Sequence, residues 1–197
     1  MAFLPAVTNL GDTAFLAPFV LALAAGLAGS GSRREATVLI LAFAATGLSV
    51  LVLKLALLGC LLAGPSGGLD IRSPSGHAAM ATVTFALAAA LALRRTCGWR
   101  RLFLACAACG LIALVAASRV VLHEHTRNEV VAGLLVGGAN AAVALRFLRD
   151  APRPPLRAYV LPVLAGVAVL TYGLHLPAEG LIRRIAGLIS SGLGTCR

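Results

Sequence analysis

RSPSGH at residues 72–77 and SRVVLHEHTRNE at residues 118–129 are two polar segments, and each stands between two long apolar runs. They contain most of the histidines of the chain. Two polar loops that separate membrane-spanning runs can meet on one side of a bilayer. The pattern therefore predicts a helical membrane bundle with a polar site at one of its ends.

The composition excludes an ordinary soluble domain. Of the 197 residues, 59% are hydrophobic and 12% are charged, and the mean hydropathy is +0.94. A globule of this size could not bury so much apolar surface, whereas lipid accommodates it. The net charge of +10 does not indicate nucleic-acid binding, because the basic residues form short clusters between apolar runs and no basic stripe with interleaved aromatic residues appears.

The apolar runs predict an all-α polytopic bundle of about six transmembrane helices that form one domain over residues 1–197. A final amphipathic segment at residues 178–192 predicts a short helix in the membrane interface. The predicted spans are residues 13–28, 36–62, 78–93, 102–117, 130–145 and 159–176.

The arginines predict the orientation of the bundle. The loops after the first, third and fifth spans are rich in arginine, and by the positive-inside rule they face the cytoplasm. The two polar segments, with active-site loops at about residues 63–77 and 118–129, then face the opposite side. In a bacterial inner membrane that side is the periplasm.

The first polar segment predicts a helix start. Ser73 is the expected N-cap and Pro74 the first helical residue, so that the helix start presents unpaired backbone N–H groups to an anion, and Gly76 has no side chain to block its approach. His77 follows in the first turn and could reach a group bound there. The alternative is a simple helix cap with an incidental histidine.

The second polar segment predicts an oriented imidazole. If a helix begins near Thr126, Glu129 faces His125 across one turn and can fix its tautomer, leaving the other ring nitrogen free as a nucleophile or base. Arg119 supplies donors suited to phosphate oxygens. Lys54 stands inside an apolar run and is a functional candidate, although its amine could instead extend to the interface.

A metal site is not predicted. His123 and His125 flank Glu124, but an HExxH motif would need histidine where Arg127 stands, and no carboxylate or cysteine cluster completes a ligand set. His123 is expected to contact substrate or to support a catalytic side chain. The scattered cysteines, including Cys106 and Cys109, are typical of small apolar residues in a membrane helix. No cofactor is predicted.

PSGH at residues 74–77 and SR-x5-H at residues 118–125 resemble the second and third motifs of the type 2 phosphatidic acid phosphatases, a superfamily that includes bacterial acid phosphatases and vanadium haloperoxidases. The resemblance implies that His125 is the nucleophile that forms a phosphohistidine and His77 the general acid. It also implies that Glu129 orients His125. The implied phosphate-binding residues are Lys54, Ser75, Gly76 and Arg119.

The chain departs from the family pattern at two places. The first motif of the family is lysine, six residues and Arg-Pro, whereas Leu61 stands seven positions after Lys54 and no Arg-Pro follows. Arg72 is expected to supply the missing guanidinium. The third motif usually ends in aspartate, and here it ends in Glu129, whose carboxylate should keep the orienting role.

The sequence thus predicts a metal-independent integral-membrane phosphatase that acts on a lipid phosphate in the bilayer. Two alternatives remain: a lipid phosphotransferase, and a non-catalytic membrane protein that binds anionic lipid headgroups. Neither the particular lipid nor the oligomeric state is indicated by the sequence.

Overall fold

The computed structural model of the protein describes residues 3–58, 73–151, 160–175 and 178–193, and all regular structure within these ranges is α-helical. The helices are α1 (Phe3–Asn9), α2 (Thr13–Gly29), α3 (Arg33–Leu58), α4 (Gly76–Leu93), α5 (Trp99–Val121), α6 (Arg127–Leu148), α7 (Val160–Thr171) and α8 (Ala178–Leu193). The predicted all-helical class is confirmed for this part of the chain.

Four helices, α3 to α6, are long and apolar enough to cross a membrane. Helices α1 and α2 meet at a bend of 47° and together add at most a fifth span. The predicted sixth span, residues 159–176, contains α7, which has 12 residues. At 1.5 Å per residue, α7 covers about 18 Å of a hydrocarbon core that is about 30 Å thick. The predicted count of about six is therefore not confirmed.

Helix α4 lies at the centre of the bundle and packs against α2, α3, α5 and α6. Residues 78–84 of α4 are all buried. Two glycines of α6 lie directly on its backbone: a Cβ atom on Gly133 would lie 2.4 Å from the Ser75 oxygen, and one on Gly137 would lie 2.3 Å from the Ala79 oxygen. Small residues four apart allow two membrane helices to approach this closely.

The arginine-rich turns meet at one end of the bundle. The buried Glu35, at the start of α3, forms ion pairs with Arg94 and Arg95 at the end of α4. Arg94 also donates a hydrogen bond of 2.8 Å to the Ala151 carbonyl after α6, and Arg95 donates one of 3.3 Å to Ser32. Three predicted cytoplasmic turns are thereby joined at the same end.

The C-terminal helix α8 occupies the segment in which an amphipathic helix was predicted. It packs against α3, and Leu181 and Ile182 face a cavity in the bundle. Its predicted position in the membrane interface stays a prediction.

Candidate functional site

The first turn of α4 begins two residues later than the sequence suggests. Ser75, not Ser73, is the N-cap, and its hydroxyl accepts a hydrogen bond of 3.4 Å from Ala78 N. The prediction of Pro74 as the first helical residue is wrong, since α4 starts at Gly76. The cause is α6: Ser73 N donates to Glu129 Oε1 and Ser75 N donates to the Glu129 carbonyl, each at 2.9 Å, which keeps this stretch non-helical.

The carboxylate of Glu129 connects this helix start to His125. Its Oε2 lies 3.1 Å from His125 Nδ1 and accepts a hydrogen bond of 3.0 Å from Thr126 N. Thr126 in turn accepts from Glu129 N at 3.3 Å, which completes a capping box at the start of α6. The buried Glu129 side chain thus fixes the first turn of α6, the extended residues that precede α4 and one edge of the His125 ring.

His125 is placed by the way in which α5 ends. His123 adopts a left-handed conformation with φ 56°, and the N–H groups of His123 and Glu124 donate to the carbonyls of Val120 and Arg119 at 3.1 Å. This pairing is a Schellman motif. His125 N also donates to the Arg119 carbonyl, at 3.2 Å. The turn explains the spacing of SR-x5-H, because it returns His125 to the last turn of α5.

The environment of His125 favours a neutral ring with a free nitrogen. Burial lowers the pKa of His125; its hydrogen bond to Glu129 opposes this effect, while the charges of Lys54 and Arg119 reinforce it. With Nδ1–H assigned to the bond with Glu129, Nε2 keeps its lone pair. Such a ring is a competent nucleophile at neutral pH.

A cavity of about 390 Å³ contains three of the predicted site residues, Lys54, Gly76 and His77. Lys54 is only 2% exposed, so its amine does not extend to solvent as the alternative interpretation required. A buried cation in a membrane helix is costly and marks a site at which an anion can compensate it. The other lining residues are Asp12, Thr13, Gly47, Val50, Leu51, Met80, Leu181 and Ile182.

His77 lies where the charged groups converge. It interacts electrostatically with Arg119, Asp12, His125 and Lys54. Its Nε2 atom is 3.8 Å from Asp12 Oδ2. The two histidines, from α4 and from the α5–α6 turn, are therefore brought to the same end of the bundle.

Arg119 lies in the last turn of α5 beside this group. Its Nη1 donates to Thr8 Oγ1 of α1 at 3.0 Å, and its Nη2 is 3.6 Å from Glu124 Oε2. The guanidinium is thus held from two sides, by a helix that precedes all the predicted motifs and by the α5–α6 turn. An aligned guanidinium loses little entropy on binding an oxyanion.

The remaining predicted residues fall into two groups. Ser75 is fully buried at the helix start, beside Glu129. Arg72, the proposed substitute for the missing arginine, and Leu61 lie outside the described residues. The catalytic and phosphate-binding roles of the whole set stay predictions.

Sequence reasoning missed several residues that the fold brings to this end of the bundle. They are Thr8, Asp12 and His175, which come from segments far from either motif. The sequence signal that could have found one of them was the charge of Asp12 inside the first apolar segment. The Ser73 hydroxyl is buried and finds no hydrogen-bond partner within the described ranges. His123, expected to contact substrate or to support a catalytic side chain, is exposed and serves the turn.

The chain is similar in sequence to known proteins. A protein of Klebsiella pneumoniae described as "Uncharacterized 22.5 kDa protein in cps region" is 31% identical in an alignment of 189 positions that covers 91% of this chain and 88% of that protein. No solved structure matches the chain significantly. The family model described as the PAP2 superfamily matches residues 35–153, a range that contains Lys54 and both histidine segments. The resemblance is confirmed, and the chain belongs to the PAP2 superfamily.

Proposed function

We propose that the protein is an integral-membrane lipid phosphatase that acts through a phosphohistidine and needs no metal. The observation that carries the proposal is the contact between His125 Nδ1 and Glu129 Oε2, which leaves Nε2 available within electrostatic range of Lys54, Arg119 and His77. A binding protein would need the cations, but it would have no use for two histidines with one of them oriented.

The first step is transfer of the phosphoryl group to the protein. His125 Nε2 attacks phosphorus, the bond from phosphorus to the leaving oxygen breaks, and protonated His77 gives its proton to that oxygen. Lys54, Arg119, the Ser75 hydroxyl and the backbone N–H groups at the start of α4, from Gly76 onward, stabilise the charge that develops on the phosphoryl oxygens. The Ser75 N–H is not among them, because it donates to the Glu129 carbonyl. Arg72 would add a further guanidinium.

The second step returns the enzyme to its starting state. Neutral His77 takes a proton from water, the resulting hydroxide attacks phosphorus, and the bond between His125 and phosphorus breaks to release phosphate. Both steps are balanced without a redox change or a cofactor. The cationic side chains supply the electrostatic stabilisation that a metal gives in other phosphatases.

The proposed substrate is a phosphomonoester or diphosphate on a lipid headgroup, of the phosphatidic acid, phosphatidylglycerol phosphate, undecaprenyl diphosphate or lipid A class. A tail that stays in lipid suits a cavity with the apolar wall residues Val50, Leu51, Leu181 and Ile182. We place the protein in a bacterial inner membrane, as a single multi-pass domain with this site at the periplasmic face. The joined arginine-rich turns at the opposite end support that orientation.

The test is phosphate release by the purified protein from a panel of these lipids. We expect His125→Ala and His77→Ala each to lower turnover at least ~100-fold, the range typical of lost acid–base or nucleophilic groups. His123→Asn is the matched control, since asparagine tolerates the left-handed conformation and the site is unchanged. EDTA should leave turnover unchanged.

Three results would contradict the proposal: equal activity in the three variants, strong inhibition by EDTA, or headgroup binding without turnover by the unaltered protein. A phosphohistidine trapped in the unaltered protein and absent from His125→Ala would support it directly.

A further inference from the structure

Asp12 is a buried carboxylate at the break between α1 and α2, and it lines the cavity that contains His77. Its Oδ1 accepts a hydrogen bond of 2.8 Å from Ala14 N and so caps α2. Its Oδ2 faces two imidazoles, at 3.2 Å from His175 Nδ1 and 3.8 Å from His77 Nε2. The cap uses one oxygen and leaves the other directed at histidine.

The charges around His77 indicate what the Asp12 carboxylate can contribute to the site. The other groups that interact with His77 are Arg119, Lys54 and His125, and all of them are cationic or become so on protonation. Cations that bind a phosphoryl group also repel a proton on a neighbouring ring. Asp12 is the acidic member of the set and therefore the group that can offset this repulsion.

The backbone holds Asp12 close to His77. A Cβ atom on Gly11 would lie 3.2 Å from His77 Cβ and 3.3 Å from the His77 carbonyl, so the break between α1 and α2 lies directly on the start of α4. Tyr172, after α7, donates a hydrogen bond of 3.0 Å to the Ala6 carbonyl and fixes the segment that carries His175 against α1. Both partners of Asp12 are thus positioned by packing.

We propose that Asp12 is a positioning residue for His77 and holds its protonated ring toward the leaving oxygen. His175 restrains the Asp12 carboxylate from the other side. The inference rests on the proposed function. In the first step the proton passes from His77 to the leaving oxygen as the bond to phosphorus breaks, and Asp12 exchanges no proton. At 3.8 Å the pair is longer than a hydrogen bond, a separation that substrate binding can close.

Asp12 and His175 lie outside the residues that the family model matches. The PAP2 match begins at residue 35 and ends at residue 153, whereas Asp12 and His175 precede and follow it. The N-terminal and C-terminal segments of this chain would therefore complete a site whose motifs lie in the matched core.

The experiment compares two leaving groups. Dioctanoyl phosphatidic acid leaves an alkoxide that needs a proton, whereas p-nitrophenyl phosphate leaves a phenolate that needs almost none. We expect Asp12→Asn, which keeps the α2 cap, to lower turnover of the lipid at least ~10-fold and that of the aryl ester less than ~3-fold, because only the first requires general acid catalysis. Asp150→Asn, an exposed carboxylate at the arginine end, is the matched control.

A double-mutant cycle, measured as turnover of the lipid substrate, shows whether Asp12 positions His77 or only supports the fold. If Asp12 acts through His77, Asp12→Asn should have no further effect in a His77→Ala background. His175→Asn should show a smaller loss with the same preference for the aryl ester. The cycle decides the question by itself if the aryl ester is a poor substrate of the unaltered protein.

Each outcome has one meaning. Equal losses on both substrates, no loss on either, or additive effects in the cycle overturn the inference while leaving the proposed function intact. Asp12→Ser also keeps a cap, and if neither it nor Asp12→Asn gives a folded protein, the carboxylate is structural and the inference fails. If the unaltered protein releases no phosphate from any substrate, it is the proposed function that fails.

Discussion

At the scale of single residues, Glu129 shows why a spacing can predict a contact but not its full role. Four residues separate it from His125, and a helix beginning near Thr126 brings the two together, as the structure has it. The spacing gave no sign that the other carboxylate oxygen accepts from Ser73, which is distant in sequence. Contacts between helices depend on packing that a local pattern does not contain.

The pH dependence of turnover tests the environment of His125. Its pKa lies below the usual value of about 6.5 because burial disfavours the charged ring. A nucleophilic ring must be neutral, so activity is lost as the pH falls through this pKa. The acid limb of kcat/KM should therefore have its midpoint below about pH 6.5.

Two variants should move that limb in opposite directions. Lys54→Met removes a cation that lowers the pKa of His125, so the limb moves to higher pH. Glu129→Gln removes a negative charge that raises this pKa, so the limb moves to lower pH. Shifts of the same sign in both variants, or a limb above about pH 6.5 in the unaltered protein, would contradict this account of the site.

At the scale of the helices, the main error of sequence reasoning was the start of α4. Ser73-Pro74 has the local pattern of a helix start, yet Ser75 is the cap. The N–H groups of Ser73 and Ser75 both donate hydrogen bonds to Glu129 of α6, which keeps these residues out of the helix. The close approach of α6 was signalled by Gly133 and Gly137, a pair with the spacing of small-residue packing motifs. We infer that this pair sets the position of the turn that is predicted to bind the anion.

Gly133→Ala tests the role of that approach. Its new methyl would lie 2.4 Å from the Ser75 carbonyl, so α4 and α6 must separate at the helix start. We expect a loss of about 1–3 kcal/mol of stability, typical of overpacking, together with lower turnover. Thermal unfolding in detergent and phosphate release measure the two effects.

Gly138→Ala is the matched control, because no atom of a neighbouring element in the described part of the chain lies within 4 Å of the position that its Cβ would take. Alanine there should be neutral or stabilise the helix by up to about 1 kcal/mol. If Gly133→Ala behaves like Gly138→Ala in both measurements, the close packing does not position the site.

At the scale of the whole molecule, hydropathy predicted an all-helical membrane bundle but not its number of spans. The first apolar run extends across Asp12, where the chain bends by 47° between α1 and α2. The last run contains α7, a helix too short to span by itself. Apolar length alone does not distinguish a straight span from a bent or short helix that packs against its neighbours.

The orientation of the bundle in the membrane can be tested with two single cysteines, one at each end. Cys97 is exposed between α4 and α5 at the arginine end, and Asn128 is exposed at the start of α6 beside the histidines. In a background without other cysteines, a membrane-impermeant maleimide added to intact spheroplasts should label Asn128→Cys and not Cys97. Permeabilised membranes, in which both become labelled, are the control for reactivity. Labelling of Cys97 alone in intact spheroplasts would place the histidines in the cytoplasm, because arginine-rich turns and histidine loops lie at opposite ends of the same helices.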